Sequence, residues 1–320
     1  MLSPVAGSPF SAGSGPVGVA VDPLGTFVYV VNEGDADVSA YTINATNGAL
    51  KPLAGSPFAA GSIPERVAID PNGKFAYVTS WGDNNVWGYT IDATSGGLAP
   101  VTGSPFRAGT RPQGIAIDPN GKFVYVDNNG ANNVSAYKIE SNGALSPVAG
   151  SPFRAGGGPF SVAIDPNGKF AYVTSGTDND VWGYTIDATS GKLTPLSGSP
   201  FAAASSPFGV GIDPAGKFAY AADVNSGNVS AYVIDATSGA LKKAKKSPFA
   251  AGSGSFDVAI DPTDTFAYVV NDGSNNVSAY EIRSNGALTQ VAGSPFSTDT
   301  GPEGVATCRV TAGTCKPPPL

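Results

Sequence analysis

The tetrad Gly-Ser-Pro-Phe begins at Gly7, Gly55, Gly103, Gly150, Gly198 and Gly293, and Lys246-Ser247-Pro248-Phe249 fills the one remaining place, so seven copies stand 47 or 48 residues apart. Self-similarity at that period marks one supersecondary unit repeated along the chain. After six of the tetrads a loop leads to Val-Ala-Ile-Asp-Pro or a variant, with the aspartate at Asp22, Asp70, Asp118, Asp165, Asp213 and Asp261. Each unit reads as four short strands. In the second unit, strand a is Val67-Ala68-Ile69, strand b Phe75-Ala76-Tyr77-Val78, strand c Val86–Ile91, and strand d starts near Leu98. β-Branched and aromatic residues in period-two alternation favour strand over helix. In Asp70-Pro71-Asn72-Gly73-Lys74 the carboxylate can accept turn N–H groups, Pro presets φ, and Gly can take φ > 0. Much of the content of 42 glycines and 27 prolines is thereby assigned to turns rather than to low complexity.

Successive four-stranded antiparallel sheets at this period predict an all-β propeller, whose radial repetition shields its strand edges. The termini favour a ring over an open solenoid: Leu2-Ser3-Pro4-Val5 reads as an orphan strand d and Gly304-Val305-Ala306-Thr307 as an orphan strand a. The expectation is a single propeller domain over 1–320. It has six full blades at about 17–58, 65–106, 113–153, 160–201, 208–249 and 256–296, and closure segments at 2–10 and 302–320. A reduced seventh blade would form from the two termini, with Arg309-Val310-Thr311 as a poor third strand; the alternative is a six-bladed ring.

A net charge of −7 and a pI near 4.6 give no electrostatic footprint for nucleic acid. No run of about 18 apolar residues suggests a membrane span, and Met1-Leu2-Ser3-Pro4 is not a signal peptide. Cys308 and Cys315, with Thr311-Ala312-Gly313-Thr314 between them to turn the chain, could close a small disulfide loop. Together with sparse charge they point to an exposed compartment: extracellular, periplasmic or cell-surface. Two thiols and no histidine cannot make a four-ligand zinc site, and no cofactor is called for.

The strings Tyr77-Val78-Thr79-Ser80, Tyr172-Val173-Thr174-Ser175, Tyr29-Val30-Val31-Asn32 and Tyr268-Val269-Val270-Asn271, each followed by a polar loop, a Val and an aromatic strand, resemble the YVTN repeat of surface-layer-type propellers. They are also similar to the wider lactonase-like propeller family, which includes 6-phosphogluconolactonase-type enzymes and muconate cycloisomerase-type relatives. The resemblance covers nearly the whole chain. It implies seven blades, and, for exported members, a further N-terminal segment upstream of Met1 carrying a signal and the missing b and c strands. It also implies His, Glu and Arg near one mouth of the central channel. This chain has no histidine, which leaves a carboxylate base with an arginine clamp as the available chemistry.

Variation on a repetitive frame is where selectivity can be written. The d-to-a loops vary most: Val17-Gly18, Glu65-Arg66, Gln113-Gly114, Phe160-Ser161, Phe208-Gly209, Phe256-Asp257 and Glu303-Gly304. Candidate catalytic residues there are Glu65, Arg66, Arg111 and Glu303, and candidate ligand contacts are Phe160, Phe208, Phe256 and Asp257, with Trp81 in a separate loop. Oxygen-rich b-to-c loops offer Glu33, Asp35 and Asp37 as a calcium cluster, against the simpler reading that Asn and Asp brace turns. Trp87 and Trp182, each followed by glycine, read as packing, and Lys242, Lys243, Lys245 and Lys246 as a solvated edge.

The main functional expectation is a non-catalytic exported or surface-associated propeller, binding a protein, peptide or glycan at the channel mouth or loops. The alternative is a lactonase-like or isomerase-like enzyme acting on a small acidic or lactone substrate at that mouth. A third reading, self-association through the incomplete blade, would require exposed seam edges.

Overall fold

A computed structural model describes residues 2–311 and 314–316, with side chains through 308. It contains six five-stranded antiparallel sheets, each built from one repeat. In the first blade the strands are a, Pro16–Val21; b, Phe27–Asn32; c, Asp37–Ile43; d, Leu50–Pro52; and e, Phe58–Ala59. Strands a, b, c and d are sequential neighbours, while the two-residue strand e pairs with the upper half of c, Val38 opposite Phe58. The expected four-stranded blade therefore gains a fifth strand from the tetrad phenylalanine.

The repeated residues have distinct mechanical tasks. The buried Asp70 accepts the N–H groups of Lys74 and Phe75 on one oxygen, both at 2.6 Å, and fastens the a–b turn; the other five repeat aspartates do the same. The tetrad serine accepts an N–H of strand c: Ser56 from Ala40 at 2.8 Å and Ser104 from Gly88 at 3.0 Å, with the same bond in the other four blades. Satisfying a buried N–H avoids a penalty of about 1–3 kcal/mol, which accounts for serine at this place in each of the six blades.

The core lies between blades. Five apolar clusters among the described residues join blades one and two through five and six. Each interface carries one polar stitch: the b-strand tyrosine donates its hydroxyl to a glycine carbonyl in the next blade's c–d turn. The pairs are Tyr29 to Gly96, Tyr77 to Gly143, Tyr125 to Gly191, Tyr172 to Gly239 and Tyr220 to Gly286, at 2.7–3.2 Å. At Gly96 a Cβ would fall on the Phe27 ring, so the close approach itself requires glycine.

The reduced seventh blade is not formed, and the six-bladed alternative describes the sheets present. Residues 2–10 and 301–308 contain no strand, and Arg309–Thr311 pairs only with Thr314–Lys316. An inner and an outer edge segment with no b and c strands between them have no ladder to join. The span 303–308 instead runs between the first and sixth blades. A Cβ on Gly304 would stand 2.7 Å from Val17 O, and Thr307 Oγ1 donates to Ile260 O at 2.6 Å. No bridge between Cys308 and Cys315 is described, since the side chain of residue 315 lies outside the described residues; no cysteine among the described residues is free.

Among the described residues no helix is long and apolar enough to cross a membrane. The only helix described is the three-residue turn Asp272–Ser274.

Candidate functional site

Strand a lines the channel, and its register against strand b slips between the first residue and the fourth in several blades, for example between Pro64 and Val67. A bulge of this kind re-aims side chains at the end of a strand. In the four middle blades it takes the variable pair, residues 65 and 66 in blade two, out of the ladder at the channel mouth; in the first and sixth blades only the first of the pair is skipped, with Gly18 opposite Val31 and Asp257 opposite Val270. Six of the seven sequence-predicted d-to-a positions therefore stand on the first residues of a strand rather than in free loops, and the seventh, Glu303-Gly304, lies outside any strand.

Two halves face one another across this mouth. On one side Phe160 and Phe208 stack with centroids 3.5 Å apart, and Phe208 meets Phe256 edge-on at 5.1 Å. All three rings are half-buried. On the other side Glu65 and Arg66 are likewise half-buried, with Gln113 hydrogen-bonded to the Glu65 carboxyl. Arg66 reaches between the halves: its guanidinium lies 5.7 Å from the Phe256 centroid, and Nη1 donates to Val17 O at 3.0 Å and Glu65 O at 3.2 Å. Gly18 makes room for it, since a Cβ there would stand 2.5 Å from Glu65 O.

Arg66 acts on four carboxyls, Glu65, Asp127, Asp257 and Glu303, lowering each. It forms a direct ion pair with none of them: among the described residues such pairs occur only at Lys138–Glu140 and Glu281–Arg283, both exposed. Burial outweighs the arginine at every one. It pushes the Glu65 carboxyl up to about 7, helped by the charges of Glu33 and Glu303. Burial likewise raises Asp257, which accepts the Val258 N–H at 2.8 Å, and raises Glu303. Desolvation favours the neutral acid because the charged form loses water.

Asp127 is a site residue that the repeat reading missed. It is fully buried, accepts the Gly114 N–H on Oδ1 at 3.0 Å, leaves Oδ2 without a partner, and is raised to about 7 by burial. A Cβ on Gly114 would collide with that carboxylate. The signal was present one strand away: at the fifth place of strand b the other blades carry Val31, Thr79, Thr174, Ala222 and Val270. Thr79 and Thr174 brace the neighbouring bulges there, Thr79 accepting the Arg66 N–H and donating to Gln113 O.

Other candidates are not brought into this group. Arg111 lies over the Trp81 ring at 4.6 Å on the rim, where Asn84 accepts its N–H at 2.7 Å, so the two form a separate cation–π pair. Asp35 accepts the Ser14 N–H and Asp37 the Asn32 side-chain amide, which spends the calcium candidates on bracing loops. Glu33, the third, is exposed and turns its field toward the mouth. Among the described residues no group of three or more His, Cys, Asp or Glu side chains could hold a metal ion. Trp87 and Trp182 pack against inter-blade clusters, and Lys242 and Lys243 are exposed on an edge strand.

Comparison with known proteins adds the family. A family profile described as "Lactonase, 7-bladed beta-propeller" matches in overlapping segments, 1–157, 102–210, 149–253 and 202–312. A candidate 6-phosphogluconolactonase of Bacteroides uniformis superimposes with a TM-score of 0.81 at 20% identity, covering 91% of this chain and 88% of that one. Its counterpart from Bacteroides fragilis gives 0.80 at 21%, covering 90% and 86%. The periplasmic gluconolactonase of Pseudomonas aeruginosa gives 0.76 at 18%, again covering 90% and 86%. No curated protein matches the sequence. The profile match overturns the expectation of a non-catalytic binding or assembly module and favours the enzymatic alternative. With matched segments spanning almost the whole chain and a carboxylate–arginine cluster at the channel mouth, the protein belongs to the lactonase family of β-propellers.

Proposed function

We propose that the protein hydrolyses a small neutral lactone at the channel mouth, with Glu65 as general base and Arg66 as the group that holds the carbonyl oxygen. The observation that carries this reading is the Glu65 carboxyl raised to about 7 beside a guanidinium that is bound to carbonyls and a ring but to no carboxylate. A base poised near the working pH is what proton abstraction from water requires, and a fixed cation stabilises charge developing on the attacked carbonyl.

In the proposed reaction Glu65 takes a proton from water as its oxygen attacks the lactone carbonyl. The negative charge on that carbonyl oxygen falls to Arg66, whose guanidinium makes its hydrogen bonds among the described residues through Nη1 alone. The ring C–O bond then breaks, and the leaving alkoxide recovers the proton from Glu65. Phe160, Phe208 and Phe256 supply an apolar wall for the ring face. Arg66 is set against Glu33, Glu65 and Glu303, so the mouth offers no positive surplus to hold a phosphate. That balance supports an uncharged substrate over a phosphorylated one. The test is a panel of uncharged and phosphorylated lactones assayed with the spontaneous rate subtracted. Turnover of uncharged members that Glu65→Gln abolishes is expected; no turnover above background by any member overturns the reading.

A further inference from the structure

Away from the mouth the repeat is broken at the outer edge of the fifth blade. Four of the other blades end strand d on a proline, Pro52, Pro100, Pro147 and Pro195, and every other tetrad opens on glycine. The fifth instead reads Lys242-Lys243-Ala244-Lys245-Lys246, with all four lysines exposed. Its strand d, Leu241–Lys243, has a neighbour on one side only. There the Asp235 N–H donates to Ala240 O at 3.0 Å and the Ala244 N–H to Ala231 O at 2.8 Å, so residues 240, 242 and 244 face strand c. By the alternation of an antiparallel ladder, Leu241 and Lys243 present their main-chain groups outward. The proline of four other blades removes that outward N–H and closes the edge; in the fifth blade the edge is open. Among the described residues ion pairs occur only at Lys138–Glu140 and Glu281–Arg283, so none of the four ammonium groups is in one. Val233, opposite Lys242, is 37% exposed at a place where the other blades carry Thr42, Thr90, Lys138, Thr185 and Glu281.

Edge protection accounts for a lysine within the strand. It does not account for Lys246, which lies beyond the strand's end and holds a left-handed φ of 71° at the place of the tetrad glycine. A residue with a Cβ takes up that conformation at a cost, so the charge is placed there against the local backbone preference. We infer that this edge docks an extended acidic segment of another polypeptide, which adds as a strand beside Leu241–Lys243. The main chain of the segment pairs with the outward groups of Leu241 and Lys243, its carboxylates meet the four ammonium groups, and an apolar side chain covers Val233. A chain of net charge −7 gathers four of its 18 lysines and arginines at this one place, and such local complementarity selects an acidic partner. The open N–H favours a polypeptide over an anionic polysaccharide, which has no main-chain amides to continue the ladder. Strand addition takes its affinity from main-chain hydrogen bonds and its selectivity from the side chains.

The probe is a labelled peptide of Glu-Glu-Val repeats. Saturable one-to-one binding is expected by fluorescence anisotropy, weakened by salt, absent for a Lys-Lys-Val control, and accompanied by slowed amide exchange at Leu241 and Lys243. Lys243→Pro, which restores the residue of four other blades, weakens binding about tenfold. Lys246→Gly, which restores the residue of every other tetrad and so keeps the fold should the proline variant lose it, weakens binding about threefold. Absence of binding by the parent protein overturns the inference, as does binding that neither substitution changes. Binding without slowed exchange at Leu241 and Lys243 overturns it too, by making the lysines a site for any polyanion. Self-association of the free protein that Lys246→Gly weakens also overturns it, by making a second copy the occupant.

Discussion

The two ends of the channel are built by the same six strands and behave in opposite ways. At the floor the strands end in nearly uniform small and branched residues, Ala20-Val21, Ala68-Ile69, Ala116-Ile117 and Ala163-Ile164, which with Pro23 and Pro119 bound a cavity of about 300 Å³. At the mouth the second and third residues of each strand differ from blade to blade and include Glu65, Arg66 and Asp257. The floor is held in register by the fastened Asp-Pro turn, whereas the bulge at the mouth frees the side chains from the ladder. Symmetry is kept where it supplies packing and abandoned where a ligand would sit.

This contrast predicts that the two ends fail differently. Glu65→Gln removes the proposed base while keeping the hydrogen-bonding shape and should lower kcat about 10²–10⁴-fold, read by background-corrected lactone hydrolysis with an unchanged Tm. Arg66→Ala removes one fixed cation and should cost about 10²–10³-fold in kcat/KM, with Arg66→Lys restoring part of it. At the floor Ile69→Ala should leave kcat unchanged while lowering stability by about 2–5 kcal/mol, measured by urea unfolding.

The smallest effect belongs to Asp127, which lies behind the mouth. Its carboxyl is raised in the folded state, so the unfolded chain gives up its proton first and folded stability falls as pH rises from about 4 through about 7. Asp127→Asn removes that loss. Its Tm should match the parent's near pH 4 and exceed it by a few degrees at pH 8.5; a variant less stable than the parent at pH 8.5 would show that the charged form is tolerated.

The fold was legible because the repeats state their own turns: Asp-Pro-x-Gly before strand b in five of the six, with Asp264 in the glycine's place in the sixth, and the tetrad after strand d. The fifth strand was not, since two residues such as Phe58-Ala59 carry no alternation and their partner, the upper half of strand c, lies some twenty residues back. The seam was misjudged for a related reason. Leu2 and Val305 have the residue types of strands d and a, but a strand needs a neighbour to donate to, and residue types do not supply one. Glu65, Arg66, Asp257, Glu303 and the three phenylalanines were legible as candidates because they break the repeat at its variable pair. Asp127 breaks the repeat within a strand, where apolar alternation dominates the pattern. Arg111 was grouped with Glu65 by sequence position, yet its backbone stands at φ 55° and its side chain lies on Trp81 of the preceding blade.

The central claim, a carboxylate base at the mouth, is tested most directly by the pH dependence of kcat/KM for a lactone that the protein turns over. Glu65 is protonated and idle below its raised pKa and becomes a base above it, so the rate should climb about tenfold per unit below pH 7 and level off above it. The climb should disappear in Glu65→Gln. A profile flat from pH 5 to 8 in the parent, or a climb that survives in Glu65→Gln, would contradict the account.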